Sequence, residues 1–109
     1  MTNAEKIKNV QTRVGNITEA TDELIALYLD DARDAILQQR YPFGVPSYVT
    51  EIPPRYDVIQ CKLAARYFLR QGVEGQSVSI ENGIHKHYGS VDDEDLLKQV
   101  LQVAKLGNA

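Results

Sequence analysis

A chain of 109 residues, 43% hydrophobic and 25% charged, can build one modest core and is too apolar for wholesale disorder. The formal net charge of −3 excludes a domain that embraces nucleic acid over its whole surface, although a local basic stripe stays possible. The single cysteine, Cys61, excludes an internal disulfide framework and a four-cysteine metal site.

The opening "MTNAEKIKNV" has no apolar signal core, and no run approaches the roughly 20 apolar residues of a membrane span. A soluble protein with no export signal is expected. From Asn3 to Val14, apolar Ile7, Val10 and Val14 fall at helical spacing, with Lys6, Lys8, Asn9 and Arg13 elsewhere. Gly15-Asn16 suits the end of that helix. Thr18 is the expected N-cap of a second helix, and Glu19, Asp22 and Glu23 follow where carboxylates favour the positive helix end.

The second helix is expected to run to about Gln39, burying Leu24, Ile25, Tyr28, Leu29, Ala32 and Ile36. Asp30, Asp31 and Asp34 occupy its other side, which is either a solvated face or a surface for a neighbouring subunit. The stretch from Tyr41 to Pro54 holds all four prolines and reads as a connection, because each removes a backbone donor. Its Tyr41, Phe43, Val45, Tyr48, Val49 and Ile52 predict packing against the body, so the chain is read as one domain, residues 1–109.

Pro54 can open a third helix reaching about Gln71. Val58, Cys61, Ala65, Phe68 and Leu69 form its expected apolar stripe, widened by Ile59 and Leu63. Cys61 reads there as a small buried thiol, with no partner set that would make it a nucleophile. Lys62, Arg66 and Arg70 recur every fourth residue as one basic stripe, suited to ion pairs, to phosphates or to an acidic neighbour. A last helix is expected from near Val91 to before Gly107, with Ser90 as N-cap and Asp92, Asp93, Glu94 and Asp95 in its first turn. Leu97, Val100, Leu101 and Ala104 are its expected inward face.

Between these helices, "VEGQSVSIENGIHKHYGS" carries the Asn82-Gly83 signal of a β-hairpin. A two-residue turn would mix apolar and polar residues on each face. A three-residue Glu81-Asn82-Gly83 loop instead gathers Val78, Ile80, Ile84 and Tyr88 on one side and Ser77, Ser79, His85 and His87 on the other. The second register is favoured, since it gives one face to bury. His85 and His87 point the same way, but no third ligand stands nearby to complete a metal site. No paired catalytic carboxylates, Ser-His-Asp set or phosphate-cradling glycine loop is recognisable, so no enzyme activity and no cofactor are expected. The fold class is therefore mainly α, a small bundle of three to four helices with one β-hairpin inserted before the last.

In chain order, "RVGNIT", "ATDELIALYLDDARDAIL", "ARYFLRQGVEGQSVSIENGIHKHYGS" and "DLLKQVL" resemble the head–tail connector (adaptor, head-completion) proteins of long-tailed bacteriophages. The specific part is Arg70-Gln71-Gly72-Val73-Glu74-Gly75, leading into a Ser-x-Ser-x-Glu-Asn-Gly-Ile run and then Tyr88-Gly89-Ser90. His85-Lys86-His87 depart from that pattern. The resemblance implies a virion structural protein, assembled in the host cytoplasm and located at the head–tail junction. It implies self-association in a dodecameric ring below the portal protein, extending the DNA channel and offering a platform to a tail-side stopper or connector. Asp30, Asp31 and Asp34 of one subunit against Lys62, Arg66 and Arg70 of the next are the expected ring contact. Ser77, Ser79, Asn82, Gly83, His85, Lys86 and His87 are expected to face the channel or portal, touching passing duplex DNA weakly and without sequence preference. Leu97, Leu101 and Lys105 are the expected portal-docking residues, and no membrane is involved. Two rivals remain, a small helix-turn-helix DNA-binding regulator and a metal-binding module built on the two histidines. The long proline-rich connection argues against the first.

Overall fold

The computed structural model describes residues 1–72 and 93–103. Within them lie three long helices, α1 (Asn3–Arg13), α2 (Asp22–Arg40) and α3 (Asp57–Gly72), and a single helical turn, α4 (Glu94–Leu97). Mainly helical architecture is therefore established, and there is no strand among the described residues. The hairpin expected within residues 73–90 lies outside them.

Helix α1 starts where Thr2 and Glu5 cap each other. The Thr2 hydroxyl accepts from the Glu5 N–H at 3.1 Å, and the Glu5 carboxylate accepts from the Thr2 N–H at 2.8 Å. It ends at Val14, after which Gly15 and Asn16 take positive φ values of 90° and 54° and turn the chain back. That reversal costs least at glycine and asparagine. The cap of α2 is Thr21, not the expected Thr18: its hydroxyl accepts from the Leu24 N–H at 3.2 Å. Thr18 instead sits in a turn whose Ala20 N–H bonds to the Ile17 carbonyl at 3.1 Å, and Ala20 is buried there. Burying Ala20 delays the helix by three residues.

The three long helices pack pairwise, α2 against α3, α1 against α3 and α1 against α2. On α2 the expected stripe is buried, with Leu24 at its edge and Leu37 added. On α3 the buried set is broader than a stripe: Ile59, Gln60, Cys61, Leu63, Ala64, Ala65, Tyr67 and Phe68. The expectation fails at Val58 and Leu69, each 42% exposed. Burial of Leu63, Ala64 and Tyr67 turns that side of the helix outward, since α1 and α2 cover the rest. Tyr28 of α2 meets Phe68 edge-on, ring centroids 6.2 Å apart.

The connection through residues 41–53 packs less than expected. Ile52 is buried and Tyr41 and Val49 lean on the core, but Phe43 and Tyr48 are well exposed. It leads into a 3₁₀ turn, Pro54–Tyr56, that runs directly into α3, as the proline predicts.

Lys6, outside the apolar spacing of α1, is nonetheless buried, its Nζ 3.3 Å from Asp57 Oδ1 at the start of α3; the Met1 amine lies 2.8 Å from Asp57 Oδ2. One more expectation is overturned: the last helix does not continue toward Gly107, since the chain leaves helix after Leu97 and residues 101–103 carry no regular secondary structure. Their backbone finds partners elsewhere. The Val103 N–H donates to the Arg40 carbonyl at 2.7 Å, the Leu101 N–H to the Tyr56 hydroxyl at 2.9 Å, and Arg40 Nη1 to the Leu101 carbonyl at 3.1 Å. Three tertiary hydrogen bonds replace the helical ladder.

Leu63 is fully buried whereas Leu101 is 64% exposed. Leu63→Ala should cost about 2–5 kcal/mol and Leu101→Ala within about 0.5 kcal/mol, read by chemical denaturation.

Candidate assembly surfaces

Arg66 and Arg70 stand one turn apart on α3 and reach the same oxygen of Asp93, just before α4. Arg66 Nη1 is 3.5 Å from Asp93 Oδ1, and Arg70 Nη2 also bonds to it. Arg66 further grips Asp95 through a two-pronged pair, Nη1 to Oδ1 and Nη2 to Oδ2, both at 2.8 Å. Asp93 is fully buried, and a carboxylate placed there is tolerable only because two guanidiniums face it. Asp95 hydrogen-bonding raises the Arg66 guanidinium above its ordinary value, with its burial opposing. The same bond holds the Asp95 carboxyl down at about 2.

The basic stripe is therefore split. Arg66 and Arg70 are engaged with carboxylates of their own chain, while Lys62 is exposed and has no ion-pair partner among the described residues. On α2, Asp30 and Asp34 are exposed and flank Arg33, at 3.4 and 3.5 Å. Asp31 is half-buried, off their ridge. The expected docking residues also divide. Leu97 is only 6% exposed and belongs to the core, because the single turn of α4 aims it, with Leu96, toward α2 and α3. Leu97 thus offers little surface to a portal. Leu101 is exposed, and Lys105 lies outside the described residues. Ser77, Ser79, Asn82, Gly83, His85, Lys86 and His87 also lie outside them.

Around Leu101, Tyr56 forms the centre of a latch. Its buried ring lies under two guanidinium carbons, Arg55 at 4.8 Å and Arg40 at 5.8 Å, and its hydroxyl holds the Leu101 N–H. Burial pushes the phenol up, but the Leu101 hydrogen bond and the two arginines outweigh it and leave it lowered. Cys61 is the buried thiol expected, pushed up by burial, with its Sγ 3.9 Å from the Lys6 carbonyl. Among the described residues no three His, Cys, Asp or Glu side chains gather as a metal ion would need.

Residues 4–92 match the family described as phage gp6-like head-tail connector protein. The chain belongs to that family. Comparison with curated proteins and with solved structures gave no match.

As a connector, the protein is a structural component of the phage virion that contacts other head or tail proteins. No helix among the described residues is long and apolar enough to cross a membrane. The helix-turn-helix rival loses ground, since the whole connection through residues 41–53 separates α2 from α3. Sequence reasoning missed Asp93, Asp95, Tyr56 and Arg40 as structural partners. A signal existed for the first two: four consecutive acids in "DDED" follow two arginines spaced to share one target. Reading those acids only as helix-dipole charge hid their second role.

Two outcomes follow for the connector. Asp95 has a depressed carboxyl, so its contribution to stability is full above the ordinary value of 3.8 and falls away as pH drops toward about 2. Asp95→Asn should flatten the loss of stability over that acid window in pH-dependent melts. Tyr56→Phe removes the partner of the Leu101 N–H, so amide exchange at Leu101 and Val103 should quicken by an amount equivalent to about 1 kcal/mol.

Proposed function

We propose that this connector assembles as a closed ring, dodecameric in the virion, between the portal protein and a tail-side stopper or connector. There it extends the DNA channel. Family membership across residues 4–92 carries the reading. The geometry supports it in a second way: acidic residues stand on the outer face of α2 and basic ones on the outer face of α3, two different helices of one bundle. Opposite charges on two different helices favour a heterologous contact, in which each subunit offers one face to each neighbour. Such contacts close into rings when the rotation allows.

Within this reading, Asp30, Asp31 and Asp34 face Lys62, Arg66 and Arg70 of the next subunit. Arg66 and Arg70 act there as already-paired groups, so Lys62 carries the larger share of attraction. Ser77, Ser79, Asn82, Gly83, His85, Lys86 and His87 line the channel or the portal-facing rim. Weak, sequence-blind phosphate contacts suit a conduit through which duplex DNA must slide. Leu101 and Lys105, the exposed or distal part of the C-terminal segment, are the portal-docking residues that remain.

Negative-stain microscopy of the protein mixed with the portal ring of the same phage tests this directly. A collar of added density on the portal's tail-side face is expected. Portal rings left bare at micromolar protein, with no oligomer of the protein in native mass spectra, would sink the proposal.

A further inference from the structure

We infer that neighbouring copies join through an antiparallel helix pair, the outer ridge of α2 lying level against the outer ridge of the next copy's α3. The inference rests on the ring reading above. Within one subunit the two helices already run in opposite directions. Tyr28 of α2 meets Phe68 of α3, and the Arg40 guanidinium at the end of α2 lies 5.8 Å from the Tyr56 ring, just before α3. Twelve residues along α2 are thus matched by twelve back along the other strand of the pair.

The α2 ridge is Leu27, Asp30, Asp34 and Gln38; the α3 ridge, taken from its C-terminal end, is Leu69, Arg66, Lys62 and Val58. Both step by three, four and four residues, and all are exposed except half-buried Arg66. At about 3.6 residues per turn, the α2 ridge lies roughly half a turn round from Tyr28 and Leu29, which meet α3. The α3 ridge lies on the far side of its helix from Gln60, whose amide donates to the Leu29 carbonyl at 2.9 Å. Both ridges therefore face away from the α2–α3 seam, one on each side of it. That is where the two contact faces of a ring subunit must lie.

A closed ring relates its copies by rotation without rise, and a twelvefold one turns each copy only slightly from its neighbour. With α2 and α3 standing along the ring axis, the antiparallel sense and the level within one subunit both carry over to the next. The level set by Tyr28 and Phe68 places Leu27 opposite Leu69, Asp30 opposite Arg66, Asp34 opposite Lys62 and Gln38 opposite Val58. Closure thus demands a register in which apolar meets apolar and two acids meet two bases. Leu27 and Leu69 are 61% and 42% exposed, and solitary exposed leucines are ordinary. Here each stands at the height of the other. Sliding one helix by a turn sets Leu27 on Arg66 and Asp34 on Val58; sliding it the other way sets Asp30 on Leu69. Asp34–Lys62 is the principal ion pair, because Lys62 has no ion-pair partner among the described residues whereas Arg66 already grips Asp95. The 3.5 Å contact of Asp34 with Arg33 is weak and easily exchanged for a neighbour's lysine.

Two singly substituted full-length chains, Leu27→Cys and Leu69→Cys, mixed in equal amounts and oxidised with and without portal rings, test the register. Each carries one exposed thiol, so a disulfide must join two chains, and native Cys61 is fully buried. The mixed dimer should exceed either homodimer by about fivefold in intact mass, as facing positions are required for a disulfide to form. Leu27→Cys mixed with Val58→Cys, about 16 Å away along the α3 ridge in this register, should give no such excess. Lys62→Glu should cut the Leu27–Leu69 product about fivefold. Adding Asp34→Lys should restore it, and adding Asp30→Lys should not. Native oligomers or portal collars that persist without the Leu27–Leu69 product, or with equal product from the Val58 control, overturn the register and leave the ring intact. A native chain that neither self-associates nor coats portal rings overturns both.

Discussion

The packing of α3 against α1 and α2 is the contact on which the subunit depends. Cys61, Leu63, Ala64 and Tyr67 are fully buried and Phe68 nearly so, which means α3 is covered on most of its circumference. Small residues at Cys61, Ala64 and Ala65 let the neighbouring helices approach closely, while Tyr67 and Phe68 fill the volume left over. The same coverage dictates what α3 can show to anything outside. Among its residues of described burial, only the strip through Val58, Lys62 and Leu69, with Arg66 and Arg70 at its margin, reaches the surface. A surface that narrow is either incidental or an edge cut to fit another helix.

Two buried carboxylates fasten the rest of the chain to that helix, one near each end. Asp57 opens α3 and holds Lys6 of α1 and the Met1 amine; Asp93 is held by Arg66 and Arg70 near the other end. Neither arrangement is a strong source of stability, since stripping water from charges offsets most of their attraction. Their effect is positional. Once Asp93 is buried, it has to be met by both arginines, which fixes where residues 93–103 sit against α3 and where α4 begins. Leu96 and Leu97 then fall onto the core, and Tyr56 and Arg40 take up the backbone beyond.

Helix identity was legible wherever apolar spacing and a local stop signal agreed, as at Val10–Val14–Gly15 and along Ile25 to Ile36. It became less legible where two residues of one type competed for a role. Thr18 and Thr21 both qualify as caps, and only the burial of Ala20 decides between them. The α3 face was misread because its sequence is apolar nearly all round, so Val58 and Leu69 looked as eligible as Leu63 and Tyr67. Long-range partners left the faintest trace. Nothing local to Lys6 announces Asp57, and nothing local to Leu101 announces Tyr56, yet these contacts bury a lysine and end a helix. Of the proposed assembly residues, the acids of α2 and Lys62 were readable as charges.

A single helix ridge seated on another covers much less than the about 800 Å² per partner typical of stable complexes, so two such copies in solution would bind weakly. That weakness would suit the proposed ring, which needs to close only where a platform gathers its subunits. Docked side by side on a common platform, neighbours meet at an effective concentration set by the platform, and contacts too weak for a free dimer accumulate around the circle. The exposed ion pairs contribute little to affinity in this setting. Their value lies in discrimination, because like charges oppose α2 meeting α2 or α3 meeting α3, and only the head-to-tail order remains attractive.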